Sequence, residues 1–165
     1  RNLGEFEVVD QLSAAEYLIN LDFVDRNKMA VHGWSYGGFM TTSLMLKAPG
    51  IFQVGVAGGP VIDWKYYEIM YTERYMDTPE QNTSGYAKAS LLDKVQNLKG
   101  DLLLIHGADD DVVVPQNSID LLKQSVDKGV QIDFFLYPGH KHNVRGKDRI
   151  HLMKKVLSYI DEKLK

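Results

Sequence analysis

The chain has 165 residues, 44% of them apolar and 25% charged, with a formal net charge of −3 and a pI near 5.9. That length suits one domain with its own core, and the slight acidity leaves no cationic footprint for a nucleic acid partner. No apolar run approaches membrane-spanning length, and the lack of cysteine excludes disulfides, thiolate catalysis and cysteine-ligated zinc.

The chain opens on Arg1-Asn2-Leu3-Gly4-Glu5, without a starting methionine or signal peptide, and reads as cut from something longer. Asp10 is placed to cap a first helix through about Asn20, whose Leu12, Ala15, Leu18 and Ile19 share one face predicted to lie on a sheet. Met29 to His32 reads as a strand, followed by a glycine-rich turn and a helix from Phe39 to Lys47 that Pro49-Gly50 closes. Gln53 to Ala57 is a second short strand, interrupted by Gly58-Gly59-Pro60. Trp64 to Met76 carries an aromatic-rich helical pattern, a polar stretch runs through Ser84, and a short helix is predicted around Tyr86 to Lys94. Leu102 to Ile105 is the continuous apolar run of a strand buried on both faces. Ser118 to Lys128 reads as a helix ended by Gly129 and Gln131 to Tyr137 as a fourth strand. Arg149 to Leu164 is a final amphipathic helix with Ile150, Met153, Val156, Leu157 and Ile160 on one side. Alternating helices and strands predict an α/β fold with a mostly parallel sheet covered on both faces. Four strands make half of a larger sheet.

The segment Gly33-Trp34-Ser35-Tyr36-Gly37-Gly38, between a strand and a helix, has the form of a nucleophile elbow. A serine held outward on so sharp a turn needs small residues two before and two after it, and Gly33 and Gly37 stand there. The following helix aims unpaired N–H groups and its positive dipole end at an oxygen that gains charge, with the Tyr36 N–H as the expected oxyanion donor. The plain alternative is a glycine-rich turn whose serine only caps the helix.

A nucleophilic serine needs a base, and the base an orienting carboxylate. The third strand leads into His106-Gly107-Ala108-Asp109-Asp110-Asp111 and the fourth into Pro138-Gly139-His140-Lys141-His142-Asn143. Loops at the carboxyl ends of parallel strands converge on one sheet edge, so Ser, Asp and His in that order can meet there. Spacing leaves the choice among Asp109, Asp110 and Asp111 open, since all three also suit a solvated acidic turn. His140 and His142 could be loop histidines or, as a His-x-His pair, metal ligands, although a metal site wants more ligands than these. His32 and His106 suit hydrogen-bonded structural roles, and His151 a helix surface.

Taken together, these segments resemble the prolyl oligopeptidase family of serine peptidases, and within it the dipeptidyl peptidase IV and prolyl tripeptidyl peptidase branch. The resemblance extends to Leu3-Gly4-Glu5-Phe6-Glu7-Val8, Trp64-Lys65-Tyr66-Tyr67, Tyr71-Thr72-Glu73-Arg74-Tyr75-Met76 and His106-Gly107, and so to nearly the whole chain. It implies the C-terminal half of an α/β-hydrolase fold, with Ser35 as nucleophile, Asp110 as orienting carboxylate and His142 as base. It also implies a proline pocket of Tyr36, Val61, Trp64, Tyr67, Tyr71 and Val113, although Trp64, Tyr67 and Tyr71 at helical spacing equally suit a plain aromatic core. The family position that holds an asparagine in mammalian members is Val112 here, which cannot hydrogen-bond a substrate carbonyl and leaves dipeptide and tripeptide release both open.

What the resemblance implies beyond this chain is an upstream β-propeller, the front half of the hydrolase domain and a second oxyanion donor from an upstream tyrosine. The strand Met29 to His32 is then an edge, able to pair with that missing part or with a second copy. The implied partner is a peptide with proline at the cleavage position, the implied compartment periplasmic or extracellular, and the chemistry requires no cofactor or metal. Rival readings on the same fold are an acylaminoacyl peptidase or esterase, or a noncatalytic binding module.

Overall fold

The computed structural model describes all of residues 1–165. A single four-stranded parallel sheet forms its centre, with β1 (Ala30–Trp34), β2 (Val54–Gly58), β3 (Asp101–Gly107) and β4 (Asp133–Tyr137) side by side in chain order. Each crossover carries helix: α2 (Tyr36–Lys47) after β1, α3 (Ile69–Met76) and α4 (Thr83–Ala89) after β2, and α5 (Gln116–Lys128) after β3. Before the sheet lies α1 (Phe6–Ile19), and after it α6 (Asp148–Lys163). No helix is long and apolar enough to cross a membrane.

Strand β3 shows why a continuous apolar run was needed. Its side chains alternate between two cores, since successive residues of a strand point to opposite faces. Leu102 and Leu104 join Phe39 and Leu46 of α2 and Leu121 of α5 on one face. Leu103 and Ile105 join Val56, Tyr137 and the α6 residues Leu152 and Val156 on the other. Helices therefore cover both faces, as the sequence predicted.

Three predicted elements are corrected. Helix α1 starts at Phe6, so Asp10 lies within it and caps nothing; the start is instead held by Glu7 Oε2, which accepts the Gly4 N–H at 3.1 Å. Its buried Val8 packs against Met40 and Leu44 of α2 rather than chiefly on the sheet, and Leu18 is exposed. The pattern over Trp64–Met76 is broken: Trp64–Tyr66 form one 3₁₀ turn, and α3 begins after Glu68, whose extended backbone and carboxylate, accepting the Met70 N–H at 2.9 Å, make it a cap. The helix predicted at Tyr86–Lys94 splits at Ser90 into α4 and a 3₁₀ segment over Leu92–Asn97, because the Leu91 N–H is drawn to the Ile62 carbonyl at 3.0 Å.

Strand β1 is an edge of the sheet. The Ser35 N–H and the Met29 carbonyl bond toward β2, so by alternation the backbone groups of Ala30, His32 and Trp34 face away from it.

Candidate active site

Ser35 stands between β1 and α2 with φ 61° and ψ −118°, a conformation that costs a non-glycine residue about 1–3 kcal/mol. The turn is held from two directions. The Ser35 N–H donates to the Gly58 carbonyl at 2.8 Å, and its own carbonyl accepts the Phe39 N–H at 3.0 Å as the first bond of α2. A Cβ on Gly33 would lie 2.3 Å from the Gly37 carbonyl oxygen, so strand and helix pass too close for any side chain there. A Cβ on Gly37 would meet nothing within 4 Å, whereas one on Gly38 would lie 2.6 Å from the Gly58 carbonyl oxygen. The steric need predicted for Gly37 therefore falls on Gly33 and Gly38. Tyr36 opens α2, so its N–H has no partner within the helix and lies directly after the serine.

Of the three aspartates, Asp110 alone turns inward. It is 4% exposed, while Asp109 and Asp111 lie at the surface and Asp111 pairs with Lys141. Asp110 Oδ1 accepts the N–H groups of Val112 and Val113 at 3.0 and 2.9 Å, and Oδ2 accepts from His142 Nδ1 at 2.8 Å. Burial pushes this carboxyl up, but hydrogen bonds from His106, His142 and the two backbone N–H groups outweigh it and hold Asp110 below the ordinary carboxylate range. Because a carboxylate only accepts, Nδ1 of His142 carries the proton, leaving the Nε2 lone pair free to take another.

His142 lies beside the elbow. A Cβ on Gly59 would be 3.2 Å from its Cε1, and the preceding carbonyl, that of Gly58, is the one holding Ser35. The Trp34 indole N–H also reaches the His142 carbonyl, at 2.8 Å. The structure thus brings the Asp110–His142 pair to the same sheet edge as Ser35, although no hydrogen bond joins the Ser35 hydroxyl to the imidazole. His140 turns away and pairs with Asp148 at 2.8 Å, and His32 Nδ1 meets the Val56 carbonyl at 2.8 Å. No group of three or more histidine, aspartate and glutamate side chains is set to hold a metal ion.

The aromatic residues of the expected pocket form one cluster around Trp64. Trp64, 1% exposed, stacks on Tyr71 with centroids 5.8 Å apart and meets Tyr67, Tyr36 and Phe39 at tilted or edge-on angles. Val61 and Val113 are equally buried, so the surface offered by the predicted pocket residues comes from the half-buried tyrosines 36, 67 and 71. Burial raises the pKa of all three phenols, and Tyr36 is raised further by donating its hydroxyl to Glu7 Oε1 at 2.7 Å. Val112 is 44% exposed and lines a cleft of about 390 Å³ beside His142 with Asp111, Lys141 and Arg145.

Three contributors were not found by sequence reasoning. Trp34 ties the elbow to the His142 loop. Asn117, fully buried, uses Oδ1 to accept the N–H groups of Ile62 and Asp63 at 2.8 and 3.2 Å, while its Nδ2 donates to the Val114 carbonyl at 3.0 Å. That one side chain fixes the Val61–Trp64 segment against the Asp110 loop. Ser118 bonds to His106. The only sequence signal was a pair of polar residues at the start of α5, which reads more simply as capping.

A parallel α/β sheet with a strained serine between strand and helix, and an Asp–His pair at the neighbouring strand ends, defines part of an α/β-hydrolase domain. The profile of the prolyl oligopeptidase family, peptidase class S9, matches residues 1–165, and the chain belongs to that family. It is 40% identical over 147 residues to dipeptidyl peptidase 4 of Bos taurus, an alignment covering 87% of this chain and 19% of that protein. Among solved structures it is similar to a Bacteroides ovatus protein assigned as a dipeptidyl aminopeptidase IV, with 53% identity, a TM-score of 0.98 and coverage of 99% of this chain and 23% of that one. Dipeptidyl peptidase 4 of Porphyromonas gingivalis superposes with a TM-score of 0.95 at 36% identity, over 98% of this chain and 23% of that one. The chain thus spans about a fifth of the length of these relatives.

Proposed function

We propose that this chain is the nucleophile-bearing part of a serine exopeptidase that releases short N-terminal peptides after proline. Ser35 Oγ attacks the scissile carbonyl carbon while His142 Nε2 takes its proton. Asp110 keeps the proton of His142 on Nδ1 and stabilises the imidazolium. The Tyr36 N–H donates to the developing oxyanion, and the imidazolium then protonates the leaving amine as the acyl–enzyme forms. Water, activated by His142, hydrolyses that ester and frees Ser35. The observation that carries this reading is the Asp110–His142 pair placed at the same sheet edge as a serine with φ 61°.

Proline is received by the tyrosine faces of Tyr36, Tyr67 and Tyr71, with Trp64 beneath them and Val61 and Val113 behind. A rigid pyrrolidine ring loses little freedom on binding, and packing on aromatic carbon supplies about 1–3 kcal/mol of discrimination. The names of the similar proteins support dipeptide release, whereas Val112 offers no hydrogen bond to a substrate carbonyl and keeps tripeptide release in contention. The rest of the substrate site belongs to the remainder of a longer enzyme, whose upstream parts contribute a second oxyanion donor and the grip on the free amino terminus. Lack of one such donor alone lowers turnover about 10² to 10³-fold.

The test is the intact mass of the chain and of the intact parent after a fluorophosphonate probe, beside Ser35→Ala. One adduct, lost in Ser35→Ala, is the expected result. No adduct in either form would overturn the serine-hydrolase reading. Paired assays with proline-containing and N-acylated peptides then decide between the exopeptidase and an acylaminoacyl peptidase.

A further inference from the structure

Both oxygens of Asp110 are fully engaged. Oδ1 holds the N–H groups of Val112 and Val113, and Oδ2 holds His142 Nδ1. The fourth acceptor position of the carboxylate faces His106 Nε2, 3.4 Å from Oδ2, with both side chains completely buried. His106 is itself held on both nitrogens: Nε2 lies 2.7 Å from the Val113 carbonyl and Nδ1 lies 2.8 Å from Ser118 Oγ. A carbonyl only accepts, so Nε2 carries a proton, which is shared between the Val113 carbonyl and Asp110. The Ser118 hydroxyl then serves the other nitrogen.

We infer that His106, oriented by Ser118, is a positioning residue that sets both the geometry and the proton affinity of Asp110, and through Asp110 those of His142. This rests on the triad proposed above. The chain Ser118–His106–Asp110–His142 runs from the first turn of α5, across the end of β3, to the loop after β4. It works in one direction. A second N–H shared onto Oδ2 draws off part of the charge that would otherwise go to the His142 Nδ1–H, so the carboxylate stabilises the imidazolium less than an unshared one would. It also fills the position that water would take if the carboxylate were to turn. Without His106, Oδ2 becomes more basic, the His142 imidazolium gains stability, and the acidic limb of activity moves to higher pH.

Few other charged groups face this cluster. Tyr67 approaches Asp110 from the aromatic segment, and Asp109 and Asp111 share its loop. From the loop after β4, Lys141 pairs with Asp111, and His140 pairs with Asp148 of α6. None of these is altered by changing His106 or Ser118.

The test is the pH profile of kcat/KM for a proline-containing chromogenic peptide, measured on the intact protein with His106→Leu, His106→Gln and Ser118→Ala. In His106→Leu, the acidic limb should rise by about half a pH unit and kcat/KM should fall roughly tenfold near neutrality. His106→Gln keeps an N–H donor near the Nε2 position and should restore the wild-type limb. Ser118→Ala should shift the limb in the same direction as His106→Leu by a smaller amount, and it decides the matter if His106→Leu does not fold. Profiles of His106→Leu and Ser118→Ala that match the wild type in shape, whatever their turnover, would overturn the inference and leave His106 with a purely structural role. A wild-type protein that neither labels with the fluorophosphonate nor cleaves the peptide would instead overturn the triad, before any variant is compared.

Discussion

Gly58→Ala should disrupt stability and the candidate site together. Gly58 ends β2, and a Cβ there would lie 1.9 Å from Cε3 of Trp34 and 2.3 Å from Cζ3. No adjustment of a few tenths of an ångström relieves that overlap, so the indole must leave its place. In doing so it gives up the 2.8 Å bond from its N–H to the His142 carbonyl. Overpacking of this kind costs about 1–3 kcal/mol, and a lost hydrogen bond adds about 1, so the total expected is about 2–4 kcal/mol. The penalty belongs to the pair, which makes a double-mutant cycle the right assay. Trp34→Leu, which removes the clashing ring, should be destabilising alone but should make a subsequent Gly58→Ala almost free. Denaturant unfolding and the rate of fluorophosphonate labelling, measured on the intact protein for the four members of the cycle, report stability and His142 placement. Equal costs of Gly58→Ala in both backgrounds would refute the argument.

Gly33→Ala should abolish labelling of Ser35, because its Cβ meets the Gly37 backbone, whereas Gly37→Ala, with open space at that position, should retain it; intact mass checks both. Asn117→Ala leaves the buried Ile62 and Asp63 N–H groups without their acceptor, and denaturant unfolding should show a loss of about 2–4 kcal/mol. Asp110 binds its proton more weakly when folded than when unfolded. Its stabilising contribution is therefore complete above the unfolded value near about 4 and is lost as pH falls through the lower folded value. Asp110→Asn should flatten this part of the stability curve below about pH 4, as unfolding midpoints across a pH series would reveal.

The parallel sheet was legible because strand-like runs alternate with helical patterns along the chain, and β3 announced its double burial through Leu102 to Ile105. The elbow was legible for a local reason, glycines packed tightly around one serine between two elements. What escaped was set by contacts between distant residues. Asp10 looked like a cap, yet α1 begins four residues earlier, where Glu5 pairs with Lys47 and Glu7 is held by Tyr36. The break between Tyr67 and Ile69 depends on Glu68 acting as a cap, a role that glutamate rarely signals. Spacing alone left Asp109, Asp110 and Asp111 open and only the family resemblance singled out Asp110, because what turns it inward is tertiary: its partners are His142 and a His106 whose own partner sits twelve positions later.

The bond from Trp34 to the His142 carbonyl joins residues 108 positions apart, one of them immediately before the serine. It acts as a tie rod between the two ends of the sheet. A tie of this kind restrains β1 and the loop after β4 against moving apart, and with them the spacing of Ser35 and His142 across the sheet.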